Sequence, residues 1–395
     1  MSTVNANIAA PRLLLVAGGA VKQIAEVLGK FGLFRPLIVS DPFMVKLGLI
    51  DRCLAPLAAA GIKADVFSDT IPEPVDTVIE AGVAAFAKAP YDCLIGFGGG
   101  SPIDTAKAMA ILASGGGKMR DYKVPVAADR GAVPVIAIPT TAGTGSECTR
   151  FTVITDHERD EKMLINGLGC LPLAAIVDYE LTLTVPPRTT ADTGVDSFTH
   201  ALEAFVSQRA NPFSDALALA AMALIGKNIR TAYAEPDNHA AREAMMIGAT
   251  QAGLAFSNSS VALVHGMSRP IGAHFHVPHG LSNAMLLPAI TRFSIHGAEA
   301  RYAQAARCSG FAASGDRDSV AAAKLVSGLE TLNQELSVPT PSGFGIKEAD
   351  WTGKMELMAE QALASGSPNN NPRVPTASEI VALYRAVWTG APVNI

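Results

Sequence analysis

From residue 13 to about residue 180, short apolar runs ending in turn residues alternate with stretches whose apolar positions recur every three or four residues. The runs are LLLVAGG, PLIVSD, DCLIGFGGG, VPVIAIPTT and LAAIVD, and among them lie VKQIAEVLGKFG and VDTVIEAGVAAFAKA. Runs too apolar to alternate suit strands buried on both faces, and helical crossovers between such strands make them parallel. The rhythm predicts an α/β domain on a parallel sheet. After LTLTVPPRTT the strand signals stop, and SDALALAAMALIGKNIRTAYA, AAREAMMIGATQAGLAF, SVAAAKLVSGLETLNQEL and ASEIVALYRAVW read as helices. The expected division is an α/β domain over 1–185 and an all-α domain over 186–395, with the boundary near Pro186. The late stretch ASGSPNNNPRVP reads as a connecting loop.

Composition narrows the class. Of 395 residues, 49% are hydrophobic and 17% charged, enough apolar surface for two cores. No apolar stretch reaches the roughly 18 uncharged residues of a membrane span. The N-terminus lacks the basic segment of a secretory signal, so a soluble, cytoplasmic protein is expected. Cys53, Cys93, Cys148, Cys170 and Cys308 form no CxxC pair, which argues against a disulfide framework or a cysteine zinc site. A net charge of −5 without a Lys/Arg block argues against nucleic acid as a partner. An anionic ligand must then be met by backbone amides.

Two loops offer such amides. CLIGFGGGSPIDTAK places Gly98, Gly99 and Gly100 between a strand and a helix, with Ser101 as the expected cap, Pro102 at the first helical position and Asp104 completing an S-x-x-D capping pattern. Glycines there let backbone approach a phosphate, and the helix start adds free N–H groups and partial positive charge. PTTAGTGSE follows another strand and offers Thr140, Thr141 and Thr144 beside Gly143 and Gly145. Asp41, some twenty residues after Gly18 and Gly19 and just past a strand, stands where a dinucleotide fold places an acid on a ribose 2′-OH. Neither GxGxxG nor the nucleoside triphosphate loop is present, so Asp41 alone reads equally well as a turn residue before Pro42.

In TADTGVDSFTHALEAFVSQ, Asp196 and His200 fall at i and i+4 of a helix expected to begin near Pro187, which puts both on one face. Residues 265 to 279 then hold His265, His274, His276 and His279, half of the chain's eight histidines. Two of them added to Asp196 and His200 make a carboxylate with three imidazoles, a set suited to Fe(II) or Zn(II) with a position left open. Spacing does not choose the two. His265 and His279 have a slight advantage because each precedes a glycine.

Together GGGSPIDTAK, PTTAGTGSE, TGVDSFTHALE, LVHGMSRPIG, PHGLSNA and the late NPR (Asn371 to Arg373) resemble the iron-dependent alcohol dehydrogenase family, in its order and spacing, from about residue 13 to 390. The resemblance implies a dinucleotide-binding α/β domain followed by an all-α metal-binding domain, an architecture shared with dehydroquinate synthase. It implies Asp196, His200, His265 and His279 as ligands of Fe(II), alternatively Zn(II). It implies cofactor contacts from Gly98, Gly99, Gly100, Ser101, Asp104, Thr140, Thr141 and Thr144, and positions near the nicotinamide ribose for Thr149 and Lys162. An acid at Asp41 implies NAD over NADP, because a carboxylate there repels a 2′-phosphate. The implied reaction is oxidation of a small alcohol, diol or hydroxy acid, or the reverse reduction of an aldehyde, in a homodimer or larger homo-oligomer. Phe151 and Phe256 fall at positions lining the family's substrate pocket.

The chain departs from the family at Arg269, where many relatives carry a histidine linked to proton relay. A guanidinium stays protonated and cannot relay. The proton is then expected to leave through water, His274 or His276, while Arg269 either pairs with an acidic substrate group or packs within the helical domain. Glu73 replaces an asparagine that faces the adenosine. A lyase resembling dehydroquinate synthase is the rival from another class, but its phosphorylated acid needs many basic groups and these motifs supply chiefly Arg269. A maleylacetate-type reductase is a nearer relative that lacks the full metal set. Four ligand residues and two phosphate loops argue against a non-catalytic binding protein.

Overall fold

In the computed structural model, which describes residues 6–159 and 161–390, the apolar runs of the first half are strands. In order they are β1 (Leu13–Val16), β2 (Pro36–Val39), β3 (Asp65–Phe67), β4 (Cys93–Gly98), β5 (Val135–Pro139), β6 (Phe151–Asp156), β7 (Glu161–Asn166) and β8 (Ala174–Val177). Six of them form one sheet in the order β1-β8-β5-β4-β2-β3, with every neighbouring pair parallel. Strands β2, β4, β5 and β8 are buried at every residue, which is why they read as continuous apolar runs. The helices α1 (Ile24–Lys30), α2 (Pro42–Lys46), α3 (Asp51–Ala59), α4 (Asp76–Phe86) and α5 (Gly100–Gly115) connect them. Ile38, Ile95 and Ile136 face one core with Ile24, Leu28 and Leu57, while Leu37, Leu94 and Val135 face the other with Ile79 and Met109.

The residues after β2, β4 and β5 matter most for function. These strands are adjacent, so Asp41, the triple glycine and the threonine loop emerge side by side at one edge of the sheet, where open α/β sheets bind ligands. Two elements were not foreseen. β3 has only three residues, and β6 and β7 form an antiparallel hairpin whose half-exposed strands never produce a long apolar run.

One capping expectation is corrected. Helix α5 begins at Gly100 with Gly99 as its cap, and no side chain closes the cap. Ser101 is therefore already inside the first turn, and the carboxylate of Asp104 turns away to accept hydrogen bonds from Ser146 Oγ at 2.5 Å and Val153 N–H at 3.0 Å. The glycines let the helix start earlier than a serine cap would.

Contacts divide the chain into two units, residues 8–184 and the chain from 185 onward. In the second unit the regular elements among the described residues are helical: α6 (Pro187–Val206), α7 (Pro212–Ala234), α8 (His239–Ser257), α9 (Leu263–Phe275), α10 (His279–Ser294), α11 (Glu299–Cys308), α12 (Asp318–Glu335), α13 (Glu348–Ala364) and α14 (Ala377–Thr389), with short 3-10 turns. Helices α9 and α10 carry Pro270 and Pro288 in their interiors. The stretch 364–375 is a connection as expected, yet its 3-10 turn, Ser367–Asn370, packs on α9. No described helix is long and apolar enough to cross a membrane. The five cysteines are free thiols, and burial pushes that of Cys53 up to about 12.

The contact between β4 and α5 is tight: a Cβ on Gly96 would lie 2.9 Å from the Ile103 Cα, a backbone atom that cannot swing aside. Gly29, exposed near the end of α1, has nothing within 4 Å of its would-be Cβ. Gly96→Ala is expected to destabilise by about 1–3 kcal/mol, and Gly29→Ala to stabilise by up to about 1 kcal/mol. Opposite shifts of the thermal midpoint check this packing. A Gly96→Ala protein as stable as the parent rules it out.

Candidate active site

On the sheet side, each glycine after β4 has its own reason. Gly98 has φ +147°, a conformation reserved for glycine, and a Cβ on Gly100 would meet Thr144 Cγ2 at 2.8 Å. At Gly99 a Cβ would find only Thr141, at an ordinary 3.6 Å. The protein's own packing therefore does not require glycine there. Asp41 accepts the Met44 N–H at 2.9 Å as the cap of α2, and its Oδ2 would lie 3.5 Å from a Cβ on Gly98. A carboxylate thus stands beside the glycine turn. Thr141 and Thr144 are half-buried at the same turn; Thr140 is buried, with its hydroxyl 3.7 Å from Met44 Sδ.

The remaining nucleotide-side residues have their polar atoms engaged within the protein. Lys107 is fully buried and donates to Ser146 Oγ (2.9 Å), Thr149 O and Oγ1 (both 3.1 Å) and Phe151 O (2.9 Å), with Asp104 at 4.0 Å. Burial pulls the Lys107 ammonium down and pushes the Asp104 carboxyl up, and their mutual attraction opposes both shifts. Sequence reasoning missed Lys107 although it closes the quoted GGGSPIDTAK. Lys162 donates to Glu73 Oε1 at 2.6 Å, so the two residues singled out at separate points of the cofactor form one ion pair. Glu73 has φ +53°, a conformation asparagine tolerates better than glutamate.

In the helical unit, Asp196, His200, His265 and His279 each offer one ligand atom, all within 4.8 Å of one another. Asp196 Oδ1 lies 3.9 Å from His200 Nε2, 3.5 Å from His265 Nε2 and 3.7 Å from His279 Nε2. These separations exceed hydrogen-bond length. Ligand atoms on a tetrahedral ion, with bonds of about 2.1 Å, lie roughly 3.4 Å apart, so the cluster fits one small divalent cation. Burial alone would raise the Asp196 carboxyl, but His200, His279 and His265 hold it far below the usual carboxylate range. Burial lowers His265, and Asp196 and Glu203 reverse this, bringing it up to about 9.

Glycines and a second carboxylate hold the cluster together. A Cβ on Gly280 would collide with the Asp192 carbonyl oxygen at 2.3 Å, so α10 reaches α6 only with glycine after His279. A Cβ on Gly266, after His265, would meet the ring of Pro368 at 2.8 Å. Glu203, buried and one turn past His200 on the same face of α6, accepts the backbone N–H groups of Ala262 (2.8 Å) and Val264 (2.5 Å) and lies 2.7 Å from His265 Nδ1. This fixes His265 with Nε2 toward Asp196, an arrangement common behind metal-binding imidazoles. Asn283 donates to Asp196 Oδ1 at 2.7 Å. Neither residue was foreseen, yet Asp196, His200 and Glu203 at i, i+4 and i+7 make a polar stripe that could have revealed Glu203. The Phe256 ring stacks on His200 with centroids 4.3 Å apart. The side chain of His279 is 41% exposed against 6% or less for the other three, which marks the open side.

The other two histidines do not join. His274 Nε2 lies 2.8 Å from Gln361 Oε1, and His276 is an exposed left-handed C-cap of α9 at φ +53°. Neither belongs to a ligand-spaced group among the described residues. Arg269 follows His265 by one turn, donates to Ser367 Oγ at 3.0 Å, and is shifted down by burial.

Comparison with known proteins agrees with this geometry. The profile described as iron-containing alcohol dehydrogenase matches residues 11–179, and that of the Fe-containing alcohol dehydrogenase family, C-terminal, matches residues 190–388. The NAD-dependent methanol dehydrogenase of Bacillus methanolicus is 36% identical over 378 residues, covering 95% of this chain and 98% of that one. The 1,3-propanediol dehydrogenase of Klebsiella pneumoniae is 35% identical over 381 residues, covering 96% and 97%. A crystal structure of 1,3-propanediol oxidoreductase superposes with a TM-score of 0.93 at 33% identity, covering 97% of this chain and all of that one. The chain belongs to the iron-containing alcohol dehydrogenase family. It is an oxidoreductase acting on CH–OH groups.

Glu203→Gln removes the acceptor of the His265 Nδ1 proton while keeping the volume. It is expected to weaken Zn(II) or Fe(II) binding by about 10–100-fold, read by competition with a chromophoric chelator. Unchanged affinity would show that Glu203 does not orient a ligand.

Proposed function

We propose that the protein is an NAD-dependent, divalent-metal-dependent dehydrogenase that interconverts a small alcohol, diol or hydroxy acid with its aldehyde. The convergence of Asp196, His200, His265 and His279 carries this reading. Their donor set suits Fe(II), with Zn(II) as the alternative, and favours neither magnesium nor calcium, which want more oxygens. A cation held there supplies Lewis acidity, lowering the pKa of a coordinated hydroxyl as it lowers that of water. NAD supplies the two-electron acceptor.

The protein's own residues do the rest. Asp196 and the three imidazoles hold the cation, and Glu203 keeps His265 in the tautomer that leaves Nε2 free to bind. Phe256 shields the His200 side of the cluster from water, and the exposure of His279 leaves a way in for substrate. The amides at Gly99 and Gly100 receive the pyrophosphate, Thr141 and Thr144 flank it, and Asp41 accepts from a ribose 2′-OH while repelling a 2′-phosphate. Lys107 holds the 146–151 segment against α5 and so keeps both phosphate loops in register. Neither His274 nor His276 lies at the cluster, so water takes the place of a histidine relay. The similarity to enzymes named for methanol and 1,3-propanediol supports a small substrate. A homodimer or larger homo-oligomer acting in the cytoplasm completes the proposal.

A panel of small primary alcohols, diols and hydroxy acids, on protein reloaded anaerobically with Fe(II) or Zn(II), tests the reading through NADH formation. His265→Ala is expected to remove both activity and bound metal. No NADH from any panel member on fully metallated protein would refute it. For the nucleotide, Asp41→Gly is expected to raise the NADP-to-NAD ratio of kcat/KM by about tenfold or more. An unchanged ratio would mean that Asp41 only caps α2.

A further inference from the structure

Arg269, one turn from a cluster residue, is a charged group that the proposed reaction does not use. It lies one turn after His265 on α9, so the two side chains leave the same face of the helix with Cβ atoms roughly 6 Å apart. Its guanidinium has one hydrogen-bond partner, the neutral hydroxyl of Ser367 at 3.0 Å, and no carboxylate stands within ion-pair distance among the described residues. The nearest source of negative charge is Glu203, whose oxygens already serve the Ala262 and Val264 amides and His265. A guanidinium carries five N–H donors in a planar fork matched to a carboxylate. Holding such a group half-buried without a counter-ion costs stability, a cost that persists at sites where a ligand completes the pair.

We infer that Arg269 is a specificity-determining residue that binds the acid group of a short hydroxy acid or aldehyde acid whose hydroxyl or aldehyde end lies at the cluster. The inference rests on the dehydrogenase reading above and names its substrate class. Such a substrate carries its acid group at one end and the reacting oxygen at the other. In the oxidation, the C–H bond at the alcohol carbon breaks with its electron pair passing as hydride to nicotinamide C4. The hydroxyl proton leaves to water, and the products are the aldehyde acid, NADH and one proton. The carboxylate is untouched and stays on Arg269. Ser367, buried in its 3-10 turn, fixes one arm of the guanidinium and leaves the others for the acid group.

The test compares 4-hydroxybutyrate with 1,4-butanediol, which has a second hydroxyl in place of the acid, on the metal-loaded protein with NAD. Arg269→Gln is expected to lower the acid-to-diol ratio of kcat/KM by about 30-fold or more. Arg269→Lys, which keeps the charge and loses the fork, should fall between, and it serves if the glutamine variant does not fold. Direct binding gives a readout free of turnover: butyrate, titrated calorimetrically into protein with NAD bound, should bind the parent and bind Arg269→Gln at least about tenfold more weakly. Equal losses on acid and diol, or equal butyrate binding by parent and variant, would overturn the inference and leave Arg269 as a packing residue. Failure of the parent to oxidise any alcohol would instead strike the dehydrogenase reading, and butyrate binding would still decide Arg269.

Discussion

A carboxylate buried among three imidazoles is stable only if a cation joins it or the imidazoles take up protons, and the packing of α6, α9 and α10 imposes that choice on this chain. The rest of the helical unit follows from it. The three helices meet closely enough because Gly280 lies against the Asp192 carbonyl and Gly266 against Pro368. Glu203 then ties the start of α9 to α6 through two backbone amides and an imidazole, so the same side chain that closes the helix junction also orients a ligand residue. Structure and chemistry share the same atoms there.

The sheet unit solves the opposite problem of receiving an anion in a chain of net negative charge. At the start of α5 it leaves backbone N–H groups without a side-chain cap, and the cation it buries nearby points inward. Lys107 spends its three protons on four oxygens of the neighbouring segment, so it acts as a strut between α5 and the 146–151 stretch. A buried ammonium of this kind adds little net stability, because desolvation offsets most of its attractions, but it fixes the position of every group it touches. The loops after β4 and β5 owe their register to it as well as to the adjacency of their strands.

Arg269, one turn after His265, places a permanent charge near the cluster and donates to Ser367 Oγ. At a position one turn from a ligand residue, a histidine can carry a proton at neutral pH and an arginine cannot. The oxygens of Glu203 serve the Ala262 and Val264 amides and His265, and the neighbouring Ser367 supplies the hydroxyl that steadies the guanidinium.

The alternation of apolar runs with helical spacing was enough to read five of the six sheet strands, because a strand buried on both faces has no polar positions to confuse the pattern. β3 and the β6–β7 hairpin escaped it, being short or half-exposed. Among the site residues, Asp196 and His200 were legible as a pair because helical periodicity alone puts i and i+4 on one face. Which two of the four later histidines join them was not legible from spacing; that depended on α9 reversing into α10 around a left-handed His276, which carries His274 off to Gln361. Lys107, Asn283 and Ser367 were invisible for the same reason, since their partners are brought close by packing between distant segments. The amino-acid order thus determined the strands, the helices and the stock of reactive groups, all set by interactions between near neighbours in the chain. Only the tertiary structure decided which of those groups meet, because the distances between them depend on how helices and strands far apart in the chain pack together.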